Sequence, residues 1–219
     1  MREHASKGIM NTRETLVLIH GVWLTGLEMG WLGRRLSRSG YDVRYFRYHS
    51  LGFTPLQNAQ RLHRFIDGLG VDRLHLVAYS LGGIVLLHLF DSYPRVPPGR
   101  VVLLGSPVKG SRVARFMSTN PLLRPLLGRS LEQGLSGDTP AWRGGRELGV
   151  LAGTGGIGIG RLFGAVEGPN DGTVSVDETY LEGADDFCTL KASHMGMLFS
   201  APVADQVSAF LETGCFFKG

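Results

Sequence analysis

The stretch LVAYSLGGIV at residues 76–85 decides the predicted fold. An apolar strand pattern runs into Ser80, and an apolar helix pattern follows it. A reactive serine at such a turn stands clear of the sheet in a strained backbone conformation, which requires small residues two positions before and after it. Ala78 and Gly82 occupy those positions. The alternative is a serine that only caps a helix, with the glycines serving its packing.

Strand patterns recur on both sides of this stretch. Apolar runs typical of buried strands lie at 15–19, 73–79, 100–105 and 148–153, an alternating pattern typical of an edge or near-edge strand lies at 41–48, and 186–190 is a last candidate. Helical patterns lie between or after them, at 28–39, 56–69, 84–93 and 201–211. This alternation predicts an α/β fold of about six mostly parallel strands with helices on both faces.

The composition favours one globular domain over residues 1–219. Of the 219 residues, 43% are hydrophobic and 19% charged, which is enough apolar material for a substantial core. Residues 109–146 interrupt the alternation. They are predicted to form either a sheet-covering helix with a connection, or a small cap or lid. In the second case the leucines of this segment help to form an acyl pocket, namely Leu122, Leu123, Leu126 and Leu127.

A catalytic serine needs a base and an orienting acid, and in this topology they follow it in the order serine, acid, histidine. His194 lies in a predicted loop between the last strand and the final helix. Asp171 lies in the turn-rich loop GPNDGTV at 168–174, which is alternatively an ordinary turn. Other candidates for the acid, each less well placed, are Asp177, Glu178, Asp185 and Asp186.

Two backbone N–H groups are predicted to bind the oxyanion. They belong to Leu81, directly after the serine, and to Val22, just after the first strand. His20 is predicted to hold that loop by hydrogen bonds rather than to act as a base. Apolar residues at the predicted site suggest a substrate pocket that includes Trp23, Leu24 and Met195.

These motifs together resemble the α/β-hydrolase superfamily, especially its small bacterial lipases and esterases. They are HGVW (20–23), AYSLGG (78–83), LLGSPVKGS (103–111), PNDGTVSV (169–176) and SHMGML (193–198). The chain departs from the usual GxSxG by having Ala78 in the first position. It also has Val108 where the lipase stretch LGTPHxGS has histidine, so any role of that histidine is lost. The resemblance implies a minimal core of the hydrolase fold.

The resemblance implies a serine hydrolase that cleaves a small-molecule ester, a lipid among the candidates, through an acyl-serine intermediate. The apolar residues around Ser80 favour carboxylic esters of short to medium chain length. An acyltransferase, a thioesterase or an amidase would use the same triad. A non-catalytic scaffold that binds a partner is the alternative from another class.

Other functions have little support in the sequence. The net charge of +4 comes from scattered arginines rather than a basic run, which argues against nucleic-acid binding. The string GTGGIG at 153–158 satisfies GxGxxG, but it follows a late strand rather than opening the first βαβ unit. No cofactor is therefore expected. No metal is expected either, since the histidines lack partners at ligand spacing.

The ends of the chain and the cysteines give weaker expectations. The sequence shows neither a signal-peptide pattern nor an apolar run long enough for stable membrane insertion, so a cytoplasmic protein is expected. The start is either Met1 or Met10, and the oligomeric state is not readable. Cys188 and Cys215 are expected to be buried thiols.

Overall fold

A six-stranded parallel sheet forms the centre of the computed structural model, which describes residues 13–156 and 166–218. Its strands are β1 (Thr15–Ile19), β2 (Asp42–Phe46), β3 (Leu74–Tyr79), β4 (Val101–Leu104), β5 (Leu148–Gly153) and β6 (Asp186–Leu190). The spatial order is β2-β1-β3-β4-β5-β6. The chain thus moves outward from β1 to β2 and then crosses back to β3. In such sheets, ligands bind beyond the carboxyl ends of the strands where the order reverses.

Helices cover both faces of the sheet, which confirms the predicted α/β class. They are α1 (Gly30–Arg38), α2 (Pro55–Asp67), α3 (Leu81–Ser92), α4 (Arg112–Thr119), α5 (Val176–Thr179) and α6 (Ala201–Thr213). Alternate side chains of β3 enter two separate cores. Leu76 and Ala78 pack in the core with α2 and α3, while Val77 and Tyr79 pack in the core with α1 and α6. None of the described helices is long and apolar enough to cross a membrane.

Helix α3 begins three residues earlier than the apolar pattern predicts. The pattern starts at Ile84, whereas the helix starts at Leu81, so Gly82 and Gly83 lie in its first turn. A Cβ atom on Gly82 would lie 2.7 Å from the main-chain oxygens of Ile19 and His20. The first turn therefore packs directly against the end of β1, and glycine there permits the approach.

The segment 109–146 is built from short helical pieces and contains no strand. Helix α4 is followed by a 3₁₀ helix at Arg124–Ser130 and a π-helical turn at Leu131–Leu135. The backbone N–H of Arg129 donates to the carbonyl of Leu51, 2.9 Å away, which ties the segment to the loop after β2.

The two cysteines are unpaired, and the expectation that both are buried is wrong. Cys215 is exposed and Cys188 is half-buried. Cys188 lies on β6, which is an edge strand with one side of its ladder open.

Candidate active site

Ser80 lies at the turn between β3 and α3 in a backbone conformation that few residues adopt. Its φ is 53° and its ψ is −122°. Non-glycine residues in this region carry a strain of about 1–3 kcal/mol, which persists only when the surrounding structure holds them there. The backbone N–H of Ser80 donates to the carbonyl of Leu104, 2.9 Å away. Strand β4 thus helps to hold the serine at the carboxyl end of the sheet.

The structure brings Ser80, His194 and Asp171 together, although they are far apart in sequence. His194 Nε2 lies 3.0 Å from Ser80 Oγ, and His194 Nδ1 lies 2.6 Å from Asp171 Oδ2. A carboxylate only accepts hydrogen bonds, so Nδ1 carries the proton and donates it. Nε2 is then free to accept the hydrogen bond of the serine hydroxyl. This arrangement can remove the hydroxyl proton as Ser80 Oγ attacks a carbonyl carbon.

Asp171 is buried, and the turn that contains it holds its carboxylate. Oδ1 accepts hydrogen bonds from the N–H groups of Thr173 at 2.9 Å and Val174 at 2.7 Å. The backbone N–H of His194 donates to the Asp171 carbonyl at 2.8 Å. The Asn-Asp-Gly sequence is therefore a turn and also directs Oδ2 toward the imidazole. The two interpretations of this loop describe the same geometry.

The other candidate acids are engaged elsewhere. Their partners are Lys109 and Arg112 for Asp177, the N–H groups of Arg112 and Ser175 for Glu178, the Leu148 N–H for Asp185, and the N–H groups of Phe187 and Phe216 for Asp186. Asp171 is the carboxylate among the described residues that bonds to His194.

The two predicted oxyanion donors are placed next to Ser80. Leu81 is the first residue of α3, where a backbone N–H has no acceptor one turn earlier in the helix. Val22 lines the same cavity as Ser80. Gly21 allows the β1 loop to come this close, since a Cβ atom there would lie 2.9 Å from Ser80 Cβ.

His20 braces this loop. Its Nδ1 donates to the Gly21 carbonyl at 2.8 Å, and its Nε2 accepts from the Tyr48 N–H at 3.3 Å. The Tyr48 hydroxyl donates to the His20 carbonyl at 2.8 Å, and the two rings stack. Burial lowers the pKa of His20 and so favours the neutral ring that these bonds require.

A cavity of about 210 Å³ lies over Ser80 and His194 and has mostly apolar walls. The predicted pocket residues Trp23, Leu24 and Met195 line it. Further lining residues come from the 109–146 segment, namely Ser111, Val113, Ala114, Met117, Leu127 and Leu135. This segment therefore supplies much of one wall.

The leucines of the 109–146 segment differ in their positions. Of the four leucines predicted to help to form an acyl pocket, Leu127 lines the cavity and the other three, Leu122, Leu123 and Leu126, do not. Leu122 is 86% exposed and Leu126 is half exposed, while Leu123 packs against the main core. The 3₁₀ helix turns one leucine inward in this stretch, which the residue types alone do not reveal.

The positioning roles of two residues were not found from the sequence. Gly105 lies behind the Asp171–His194 pair, and Glu178 joins the Asp171 loop to α4. A signal for the second was present, because Ser175 and Glu178 have the spacing of a capping box. For Gly105 the signal was a glycine at the end of a buried strand, which by itself fits many turns.

The GxGxxG string lies partly outside the described residues, since Ile157 and Gly158 are not described. In its described part, the N–H of Gly155 donates to the Ala192 carbonyl at 2.9 Å. These residues therefore lie against the chain that leads to His194.

Comparisons with known proteins bear on the family and the fold. The model of the alpha/beta hydrolase family matches residues 16–211. A comparison with curated protein sequences gives no match.

Several solved structures of hydrolases are similar to this chain. Lipase BlEst2 of Bacillus licheniformis in its mature form has a TM-score of 0.69 and 20% identity over 92% of each chain. The metagenomic carboxyl esterase MGS0156 has a TM-score of 0.60 and 17% identity, over 83% of this chain and 64% of the esterase. The thioesterase domain from the curacin biosynthetic pathway has a TM-score of 0.63 and 13% identity, over 93% and 92%. At these identities the likeness concerns the fold.

Proposed function

We propose that this chain, which belongs to the alpha/beta hydrolase family, hydrolyses carboxylic esters with apolar acyl groups through an acyl intermediate on Ser80. One observation carries the proposal. The hydrogen bonds from Asp171 through His194 to Ser80 end at a cavity with apolar walls. A nucleophile, a base and an acyl site are therefore adjacent.

The first half of the reaction acylates the enzyme. His194 Nε2 takes the Ser80 hydroxyl proton while Oγ bonds to the ester carbonyl carbon. Asp171 stabilises the imidazolium that forms. The negative charge on the carbonyl oxygen is stabilised by the N–H groups of Val22 and Leu81. When the ester C–O bond breaks, His194 returns the proton to the departing alcohol.

The second half releases the acid. Water gives a proton to His194 Nε2 and attacks the acyl carbonyl carbon, and Ser80 then leaves with that proton restored to Oγ. An alcohol in place of water would give acyl transfer, and a thiol ester would enter by the same steps. Product analysis with added alcohol separates transfer from hydrolysis.

The size of the cavity sets an expectation for the acyl group. The cavity over Ser80 has a volume of about 210 Å³ and mostly apolar walls, which suits an acyl chain of several carbons better than a long fatty acyl chain. The substrate class is therefore esters of short to medium chain length.

Hydrolysis of p-nitrophenyl esters from acetate to palmitate, by the wild type and by Ser80→Ala, tests the proposal. We expect the wild type to be most active near hexanoate and octanoate, and the variant to lose at least about 10³-fold in kcat, because the nucleophile is gone. Equal hydrolysis by both proteins would show that Ser80 is not the nucleophile. If neither protein hydrolyses any of the esters above the uncatalysed rate, and a fluorophosphonate does not label the wild type, a non-catalytic scaffold is favoured.

A further inference from the structure

A second cavity lies beside the first, at the carboxyl ends of β1 and β2. Its volume is about 400 Å³. It is lined by Trp23, Leu24 and Thr25 from the loop after β1, and by residues 47–52 from the loop after β2. Trp23 and Leu24 also line the cavity over Ser80. The two cavities therefore share a wall next to the reacting serine.

The second cavity differs from the first in its chemistry. Arg47 and His49 line it with exposed side chains, and no residue of its described lining carries a carboxylate. Arg47 makes no ion pair with any described carboxylate, whereas Arg44 on β2 pairs with Asp42 at 2.8 Å. A guanidinium without a partner is suited to bind phosphate or carboxylate in a two-pronged geometry.

Glu28, the acidic residue that follows the loop after β1, forms no ion pair with Arg47. Glu28 accepts hydrogen bonds from the N–H groups of Thr25 at 3.1 Å and Gly26 at 3.0 Å. Those bonds hold the carboxylate against the loop backbone, where they lower its pKa. Arg47 is thus left to interact with solvent or with a bound anion.

The shared wall is held in place on both sides. Trp23 has a φ of 63°, which is unusual for a residue other than glycine. Its backbone N–H donates to Ser50 Oγ at 3.1 Å, and its indole N–H donates to the Leu126 carbonyl at 2.7 Å. The indole thereby connects the loop after β1 to the 109–146 segment and separates an apolar cavity from a basic one.

We propose that the second cavity is the leaving-group subsite and that Arg47 binds an anionic group on the alcohol or thiol part of the substrate. This inference rests on the proposed function. An ester with its carbonyl carbon at Ser80 and its acyl chain in the apolar cavity must direct its other half away from that cavity. The basic cavity across Trp23 receives it. The substrate class is then an acyl ester whose leaving group carries an anionic group, for which a phosphate ester is the probe.

Two matched substrates and two matched variants test the subsite. We compare kcat/KM for 1-hexanoylglycerol and 1-hexanoylglycerol 3-phosphate in the wild type, Arg47→Gln and Arg44→Gln. In Arg47→Gln we expect at least about a tenfold loss for the phosphate ester, mainly through KM, and less than about a twofold change for the neutral ester. Arg44→Gln removes an equal charge three residues away and should leave kcat/KM for both substrates unchanged.

Hexanoyl-coenzyme A identifies the source of the phosphate. If Arg47→Gln lowers kcat/KM only for the glycerol phosphate ester, the substrate is phospholipid-like. If it lowers kcat/KM only for the thioester, the substrate is a coenzyme A conjugate. Either result supports the subsite. An Arg47→Gln variant that leaves both phosphate substrates unchanged overturns it, as does an equal loss in Arg44→Gln.

Binding to an inactive protein separates this inference from the proposed function. Calorimetry with Ser80→Ala and 1-hexanoylglycerol 3-phosphate needs no turnover. We expect binding to weaken at least about tenfold when Arg47→Gln is added to Ser80→Ala. If the wild type hydrolyses none of the esters, the proposed function fails, while this measurement still decides whether Arg47 binds the phosphate in the second cavity. Equal binding by the two inactive proteins overturns the subsite alone.

Discussion

Gly105 shows how a residue without a side chain shapes the candidate site. It follows β4 with a φ of 53°, in the left-handed region. A Cβ atom there would lie 3.1 Å from Asp171 Oδ2 and 3.3 Å from His194 Nδ1. These two atoms make the short hydrogen bond that orients the imidazole. Even one methyl group at this position therefore presses on the acid and the base together.

We expect Gly105→Ala to lower kcat at least about tenfold, because a small displacement of a catalytic group costs a large part of the rate. Gly70→Ala is the matched control. Gly70 has a φ of 61°, and nothing lies within 4 Å of its Cβ position. Both variants should lose about 1–2 kcal/mol of unfolding free energy through the left-handed backbone. Ester hydrolysis and urea unfolding measure the two effects, and unchanged kcat in Gly105→Ala would contradict the crowding argument.

Glu178 links two helices at the level of secondary structure elements. It is buried, and its carboxylate accepts hydrogen bonds from the Ser175 N–H at the start of α5 and from the Arg112 N–H at the start of α4. Ser175 follows the loop that holds Asp171, and α4 carries part of the apolar cavity wall. One carboxylate therefore fixes the acid loop and the acyl pocket relative to each other.

Replacing Glu178 by glutamine should loosen both helix starts, because one of the two N–H donors would then face an amide N–H₂ group. We expect a loss of about 1–3 kcal/mol of unfolding free energy. We also expect a change in the ratio of kcat/KM for hexanoate over acetate esters. Chemical unfolding and the two ester assays provide the measurements.

The control for this variant is Asp177→Asn. Asp177 is its exposed neighbour and pairs with Lys109 at 3.4 Å and Arg112 at 3.8 Å. Exposed pairs contribute up to about 1 kcal/mol, so the acyl preference should stay as in the wild type. If Glu178→Gln behaves in the same way, Glu178 does not position the pocket.

At the scale of the whole molecule, two fully buried histidines connect stability to pH. His20 lies after β1, and His75 lies within β3. A backbone N–H points at one ring nitrogen of each, from Tyr48 to His20 Nε2 and from Arg100 to His75 Nδ1. Those nitrogens must be unprotonated to accept. Burial also lowers the pKa of both histidines below the ordinary 6.5.

As the pH falls through about 6.5, the unfolded chain therefore binds two protons, one on each histidine, that the folded chain does not yet bind. Stability is fully present above that pH and is lost as the pH falls toward the lowered pKa values of the folded state. We expect unfolding free energy to fall between pH 7 and 5 by up to about 1.4 kcal/mol per pH unit for each histidine. Urea unfolding across this range measures it. His75→Asn should flatten the dependence, while the exposed His49→Asn should not; equal slopes in both would refute the assignment.

Several elements were readable from residue types alone. The bounds of β1, β5 and β6 are those predicted. For β1 and β5 the reason is a continuous apolar run, which leaves few other structures. The turn at Ser80 and the flanking small residues were readable for the same local reason. Asp171 and His194 were located through their order after the serine, and their distances came only with the fold.

Local chemistry thus determined the six strands, four of the helices, the sheet class and the candidate serine, since each depends on a few neighbouring residues. Tertiary structure decided what depends on contacts across the chain. It selected Leu127 rather than Leu122 for the cavity wall, placed Gly105 behind the acid and the base, and left Arg47 without an ion-pair partner among the described residues. Positions of this kind are set by the packing of separate strands and loops, whose geometry no single stretch of sequence contains.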